Sequence, residues 1–526
     1  MQSSWPSLVP PLLVLALSFS TKRVVPALLV GIASACMIAA HFSLYTAVTI
    51  AFNTLWAQFD LANSYIFIFL IALGALIALV YHSGGTAAYG NLLRKKLHNA
   101  KNAETASLFL SLLFLIDDFF SCITVGNVMQ PITDYFKIPR AKLAFLIDAM
   151  ASPWVVLMPV SSWVATLSMQ LNKAGISEIP AENPLISADP YIMFLKIIPY
   201  IFYSYIIIGS VFFIVRRSIS FGPMHEHEVI AKKTGNLFGG KNAVLEKRSE
   251  QHSDNGSLAD FLLPIGLLIA SVLLYVLYTG NWSFFGGNNS FISAFQHTDI
   301  FFSLCAGSII TLLLTSLWFW YKKTFSVTDL YTYSVEGAHP MISAIIVLFF
   351  AWTFSALLKD YLHAGDYLAQ LLLGKLNIAL LPVLFFIASG ITSIATGSSW
   401  GTIGVMVPIA VPMVVSLFNV TLPVNPDTIA IIYPVLGAIF AGAIAGDHIS
   451  PISTTTLMSS QSAGAHHADH VHTQALYAIA PLITTCFAYT ISGFLWQQSY
   501  WLNAIISIGS ALIICLISLY VLNKKQ

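Results

Sequence analysis

Apolar residues in this chain come in long, unbroken runs, without the alternation of a half-buried strand or the heptads of a coiled coil. A helix needs about 20 predominantly apolar residues to cross bilayer hydrocarbon. Such runs lie near 7–21, 24–42, 62–82, 104–125, 143–170, 191–215, 258–279, 299–320, 338–358, 367–391, 398–420, 427–446, 472–496 and 500–521. Residues 46–60 are apolar but short, a candidate extension of the third helix. The pattern predicts an all-α polytopic membrane protein with about 11 to 14 transmembrane segments, several of them half-helices.

Positive residues between the runs predict the orientation, because cytoplasmic loops are rich in Lys and Arg. Lys22 and Arg23 lie between the first two runs, and Arg94, Lys95, Lys96 and Lys101 follow the third. Lys137, Arg140 and Lys142 form another cluster, and Lys322, Lys323, Lys524 and Lys525 complete the set. The 171–190 loop, with Glu178, Glu182 and Asp189, and the 280–298 loop read as external. The N-terminus is then outside, the C-terminus inside, and the protein a multi-pass component of the cell's inner (plasma) membrane. No basic region precedes Leu8 to Phe19, so this run reads as a retained first helix and not a cleaved signal. Arg216 and Arg217 open the one long polar stretch, 216–257, a cytoplasmic loop between halves 1–215 and 258–526. His225, Glu226, His227 and Glu228 fall in it and are expected to be solvated.

The two halves echo one another. Asp118-x-x-Ser121-x-Ile123-Thr124 matches Asp447-x-x-Ser450-x-Ile452-Ser453. Downstream, Asp148 to Pro153 resembles Tyr477 to Pro481. Paired, interrupted apolar segments at corresponding places point to a transporter site between inverted repeats with broken or re-entrant helices.

Composition narrows the classes further. Hydrophobic residues make up 57% of the 526 and charged residues only 9%, against roughly 25% charged in soluble domains; mean hydropathy is +0.78. A net charge of +1 argues against nucleic acid as a partner. Cys36, Cys122, Cys305, Cys486 and Cys515 have no metal-site spacing and read as small buried hydrophobes. Nucleophile elbow, phosphate loop and closed metal site are all missing, so the expectation is a non-enzyme without a cofactor.

Polar groups inside such a chain are costly and are functional candidates by default. In 114–134, Asp117 and Asp118 precede Ser121 and Thr124, while Gly126 and Pro131 would permit unwinding. Adjacent acids point about 100° apart on a helix, so one can face a pathway while the other caps a half-helix. Asp148 is the lone acid of 142–163, where Pro153 and Pro159 can break the helix. Residues 389–408 collect hydroxyls and glycines, among them Thr396, Ser398 and Ser399, with Gly397 a candidate break; close helix packing is the plainer alternative. In 446–460, Asp447 and His448 precede Ser450 and Ser453. His466, His467, Asp469, His470 and His472 follow: their spacing fits no closed zinc site and suits a proton sensor or an interfacial loop.

These motifs resemble the NhaC-type Na⁺/H⁺ antiporters, within the wider ion transporter superfamily. The resemblance rests on DDFFSCITVGNVMQPITD, the stretch with Asp148 and SSW, TGSSWGT, and GDHISPISTTTLMSS…DHVHTQ, and covers about 80–490. It implies a cation-coupled secondary transporter, with Na⁺ and H⁺ as coupling ions. By position it points to Asp117, Asp118, Ser121, Thr124, Asp148, Thr396, Ser398, Ser399, Asp447, His448, Ser450 and Ser453, with Asp118 and Asp447 holding Na⁺. The chain departs from the family pattern at Thr454, where an acid is expected, at Ser121, where Asn is common, and at His466 and His472, where an acid and an arginine are common. These departures keep a second reading open: a Na⁺- or H⁺-coupled carrier of a small organic acid or amino acid. With no arginine in the apolar core, the TGSSWGT amides would hold its carboxylate. A channel is the third class. The expected partners are the bilayer, a small cation and a small organic substrate; a homodimer is admissible.

Overall fold

The computed structural model describes residues 5–21, 23–114, 117–178, 184–243, 256–372, 376–418 and 420–524. Lys22, Glu182 and Lys525 of the orientation argument lie outside the described residues, as do the side chains of Arg94 and Lys95.

The apolar runs are helical. The chain opens with α1 (Val9–Thr21), α2 (Val24–Ala39) and α3 (Leu44–Trp56), then crosses as α4 (Leu61–His82) and turns through α5 (Gly85–Lys96). Next come α6 (Ala100–Ser111), α7 (Asp118–Tyr135), α8 (Arg140–Leu157) and α9 (Ser162–Lys173). Two-residue strands, β1 (Ile176–Ser177) and β2 (Ile186–Ser187), pair in parallel before α10 (Pro190–Ile197) and α11 (Phe202–Arg217). Helix α12 (Gly222–Thr234) is followed by α13 (Leu258–Thr279), α14 (Phe291–Gln296), α15 (Ile300–Tyr321) and α16 (Val327–Ala356). The second half continues with α17 (Ala364–Leu372), α18 (Leu381–Thr396), α19 (Ser399–Phe418) and α20 (Ile432–Asp447). It closes with α21 (Thr454–Ser462), α22 (His467–Phe494) and α23 (Tyr500–Lys524).

Among the described residues, nine helices are long and apolar enough to cross a membrane, and the bent pair α8–α9 makes ten. The expected 11 to 14 segments are reached only by adding the shorter apolar helices at Trp5–Leu17, Val24–Ala39 and Ile432–Asp447. Large apolar side chains face outward along the spans, Leu313, Ile505, Ile513 and Ile517 among them. That surface suits lipid, which makes this an all-α multi-pass membrane protein.

Several boundaries differ from expectation. The 104–125 run is not one helix, because the chain leaves α6 through a short 3₁₀ turn and restarts at Asp118. Residues 46–60 form a helix of their own, and 367–391 divides between α17 and α18. Helix α16 starts at Val327, well before 338, because Ser326 and Asp329 form a capping box there. Gly126 and Pro131 do not unwind α7; Gly126 lies so close to Ser462 of α21 that a Cβ would collide with its side chain. Pro153 stays inside α8, whereas the chain breaks by 55° at 158–161, around Pro159.

The polar stretch 216–257 is not simply a solvated loop. Its His225–Glu228 segment belongs to α12, and Glu228 is buried because it pairs with Lys142. Likewise His467 to His472 open α22, and His470 is wholly buried.

Ties at the helix ends sort the molecule into two faces. On the basic face Lys142 pairs with Glu104, Arg140 donates to the Gly464 carbonyl, and Lys241 pairs with Asp469. On the other face Lys173 pairs with Asp60, Lys196 with Asp427, and the Val424 amide donates to the Leu185 carbonyl. Helix α6 therefore enters from the basic face and α7 returns to it: a re-entrant hairpin. Helices α18 and α19 form a second hairpin from the opposite face. Between them run two broken crossings of opposite sense, α8–α9 and α20–α21.

Candidate functional site

Both hairpin tips and both breaks converge, and each restarts a helix with a polar cap. The Asp117 carboxylate accepts from the Phe120 amide at 2.9 Å, opening α7. Ser161 accepts from Val164 at 3.4 Å, opening α9. Ser398 accepts from Gly401 at 3.1 Å, opening α19, after Gly397 turns the chain with a φ of +62°. Ser453 accepts from Thr456 at 3.5 Å, opening α21. Asp, Ser and Thr are favoured at such positions because they satisfy amides that a helix start leaves bare.

These four first turns, together with the start of α2 and the Pro340–Val347 stretch of α16, wall a cavity of about 740 Å³. Asp118 and Phe119 come from α7, Trp163 from α9, Ser399 and Trp400 from α19, and Thr454 and Thr455 from α21. Asp447, the last residue of α20, completes the acidic side. The Trp163 and Trp400 rings meet at 5.5 Å.

The sequence candidates divide. Asp118, Thr396, Ser398, Ser399 and Asp447 line the cavity. Asp117 caps α7 and is not in the wall, which separates the roles of the two adjacent acids. Behind the wall, Ser121 and Thr124 are buried, and Ser121 Oγ has no hydrogen-bond partner among the described residues. Asp148 is held by Thr456 at 3.1 Å, Ser459 at 3.5 Å and Gln474 at 2.5 Å. His448 Nδ1 meets the Tyr203 hydroxyl at 3.1 Å, and its Nε2 has no partner among the described residues. Ser450 donates to the Ile394 carbonyl at 2.9 Å.

Asp118 accepts from Ser152 at 2.8 Å, and Asp447 from Thr455. All four acids, Asp117, Asp118, Asp148 and Asp447, are at most 4% exposed. Among the described residues none pairs with a lysine or arginine; Asp148 has only His470, at 3.9 Å. No three or more His, Cys, Asp or Glu among the described residues are placed to hold one metal ion. An ion at Asp118 or Asp447 would complete its shell with hydroxyl and carbonyl oxygens.

Sequence reasoning missed several participants. Arg23, read as a loop residue, stands exposed at the rim of the cavity. Its guanidinium has no ion-pair partner among the described residues, so the cavity is not without an arginine. Thr455, Thr456 and Gln474 lie inside GDHISPISTTTLMSS and DHVHTQ but were not singled out as site residues, and Ser152 carried no signal of its own. Trp163 and Trp400 had a signal, since Ser161-Ser162-Trp163 and Ser398-Ser399-Trp400 are one tripeptide used twice.

A helical membrane protein whose re-entrant hairpins and broken helices bury acids around a central cavity is a secondary transporter. The chain belongs to the Na⁺/H⁺ antiporter family, whose model matches residues 154–494. It is 31% identical over 502 residues to an uncharacterized protein of Haemophilus influenzae, covering 94% of this chain and 92% of that one. Over 176 residues it is 28% identical to the malate-2H⁺/Na⁺-lactate antiporter of Bacillus subtilis, 33% of this chain and 34% of that one. The fold is shared with the YdaH transporter of Alcanivorax borkumensis (TM-score 0.52, 14% identity, 86% and 90% of the two chains). It is shared also with Neisseria gonorrhoeae MtrF, described with a class of antimetabolite efflux pumps (TM-score 0.51, 16% identity, 86% and 85%).

Proposed function

We propose that the protein is a Na⁺/H⁺ antiporter of the inner membrane that exchanges the two cations at Asp118 and Asp447 by alternating access. One observation carries this reading: four buried acids lie close together, and among the described residues none of them is ion-paired with a lysine or arginine. Burying an unpaired carboxylate costs several kcal/mol, so such groups hold either a proton or a cation. Carboxylate, hydroxyl and carbonyl oxygens are the ligands a hard ion takes. An ionised carboxylate binds Na⁺ and a protonated one does not, and that competition is sufficient for exchange if the site opens alternately to each face.

The test is proteoliposomes given Na⁺, Li⁺ or K⁺ gradients with an internal pH indicator. Wild-type protein acidifies or alkalinises the lumen according to the Na⁺ gradient, and Asp447→Asn abolishes the change. An Asp447→Asn protein that keeps the full Na⁺-driven pH change rules the reading out.

A second reading has its own observation. A cavity of about 740 Å³, with an arginine at its rim that has no ion-pair partner among the described residues, is far larger than a bare cation requires. It suits a small organic acid whose carboxylate meets Arg23 and the α19 amides, with the ions at the acids. The Bacillus subtilis relative, named for malate, lactate, H⁺ and Na⁺, supports the same idea. Uptake of a radiolabelled organic-acid panel, with and without a Na⁺ gradient and in Arg23→Gln, separates the two readings.

A further inference from the structure

Two of the four buried acids do not line the cavity: Asp117, which caps α7, and Asp148, which caps no helix. A file of polar groups approaches Asp148 from the basic face. His470, wholly buried, places Nε2 3.9 Å from Asp148 Oδ2 and 2.8 Å from Gln474 Oε1. Its Nδ1 lies 2.8 Å from Ser460 Oγ, and Ser460 Oγ lies 3.0 Å from His467 Nδ1. His467 is half-buried at the start of α22, with Nε2 2.7 Å from the Pro451 carbonyl. Beside it, Lys241 pairs with Asp469 and His466 Nε2 meets the Asn242 carbonyl at 2.9 Å, which fixes this end of the file on the basic face.

We propose that His467, Ser460 and His470 form a proton path between the basic face and Asp148, separate from the cavity that admits the cation. The inference rests on the exchange reading and adds how the proton reaches the site.

The hydrogen bonds permit a balanced transfer. His467 gives its Nδ1 proton to Ser460 Oγ while Ser460 gives its own proton to His470 Nδ1. His470, briefly an imidazolium, releases its Nε2 proton to Asp148 Oδ2. One proton has left His467, one has reached Asp148, and a half-turn of the His470 ring, which keeps its proton on Nδ1, brings the bare Nε2 to Ser460 for the next transfer. The Ser460 hydroxyl has an alternative acceptor, the Thr456 carbonyl at 2.7 Å, where it rests between transfers. The 3.9 Å gap between His470 and Asp148 must shorten by about 1 Å to reach proton-transfer distance. Gln474 donates to Asp148 and accepts from His470, so it orients both groups without carrying the proton.

The groups that face His470 are Asp148 from α8, Thr456 and Ser460 from α21, His448 from the break after α20, and His467 and Gln474 from its own helix. Thr456 connects the path to the cation side: its hydroxyl lies 3.1 Å from Asp148 Oδ2 and 3.3 Å from the Asp447 carbonyl.

Two transport modes of one protein test the path. Na⁺-driven proton flux needs it, whereas exchange of ²²Na⁺ for unlabelled Na⁺ across proteoliposomes does not. His470→Gln keeps hydrogen-bonding capacity but cannot relay, and it is expected to cut Na⁺/H⁺ flux at least about tenfold while ²²Na⁺/Na⁺ exchange stays within about twofold of wild type. Ser460→Ala, the smallest change on the path, is expected to act in the same direction. Equal losses in both modes make His470 structural and overturn the path, and so does undiminished Na⁺/H⁺ flux in both variants. A wild-type protein that exchanges ²²Na⁺ but moves no protons overturns the exchange reading itself, and the path with it.

Discussion

Helix α8 buries two charged groups six residues apart, and it treats them in opposite ways. Lys142 lies between Glu104 at 2.8 Å and Glu228 at 2.7 Å, and Lys232 reaches Glu228 at 3.8 Å, so two lysines balance two glutamates. Asp148, about 9 Å further along the helix, is surrounded by Thr456, Ser459, Gln474 and His470 and meets no lysine or arginine among the described residues. The first arrangement is complete and stays as it is. The second holds its acid with hydroxyl, amide and imidazole groups alone among the described residues. In a membrane protein, an ion's absent partner is thus a better guide to transport than the ion's presence.

The comparison can be broken from either end. The largest effect is expected at the unpaired end: Asp118→Asn and Asp447→Asn each reduce exchange by a factor of about 100 or more, without lowering the thermal unfolding midpoint in detergent, since neutralising an unpaired buried charge removes a burial cost. A fall in the midpoint as large as that of a Lys142 variant would place these acids with the structural charges. Next comes Lys142→Met, which strands two buried glutamates and is expected to cost about 3–5 kcal/mol of stability. Adding Glu104→Gln and Glu228→Gln should restore most of it, and unfolding curves of single and triple variants decide the point.

Smaller again is Gly126→Ala, where α7 and α21 touch. Overpacking of this kind costs about 1–3 kcal/mol, read as a lowered unfolding midpoint. The smallest effect lies on the face opposite the basic one. The Tyr433 hydroxyl, donating at 2.6 Å, and the Lys196 ammonium hold the Asp427 carboxyl below its usual range. A group depressed in this way stabilises the fold above the ordinary aspartate pKa, and the contribution fades as pH falls through its folded value. Asp427→Asn should remove that part of the acid sensitivity of unfolding and leave transport unchanged.

Much of the membrane architecture was legible because span length and hydropathy are local properties. The tip of the first hairpin was not. The turn after α6 runs through Leu112, Leu113 and Phe114, which carry no glycine or proline to announce it. Conversely Gly126 and Pro131 look like breakers and sit inside a continuous helix, because the glycine serves a contact with Ser462 far away in the chain. Gly397 was legible, since its left-handed turn has a strong residue preference. The candidate acids stood out against an oily background, and the structure gathers Asp118 and Asp447 round one cavity. The echo that linked them does not hold as a structural equivalence: Asp118 opens a helix on a hairpin, whereas Asp447 ends one at a break. The partners nearest in place are Asp117 with Ser398 and Ser161 with Ser453, each a cap, and their short polar side chains leave almost no pattern to align.

The paired Ser-Ser-Trp turns have one more consequence. The hairpin from the basic face is tipped with Asp117 and Asp118, and the one from the opposite face with Ser398 and Ser399. Under the proposed exchange, an ion from the basic face and one from the opposite face would meet carboxylate and hydroxyl ligands in different order, so the half-saturating Na⁺ concentration is expected to differ between the two sides, which transport assayed in inside-out and right-side-out vesicles checks.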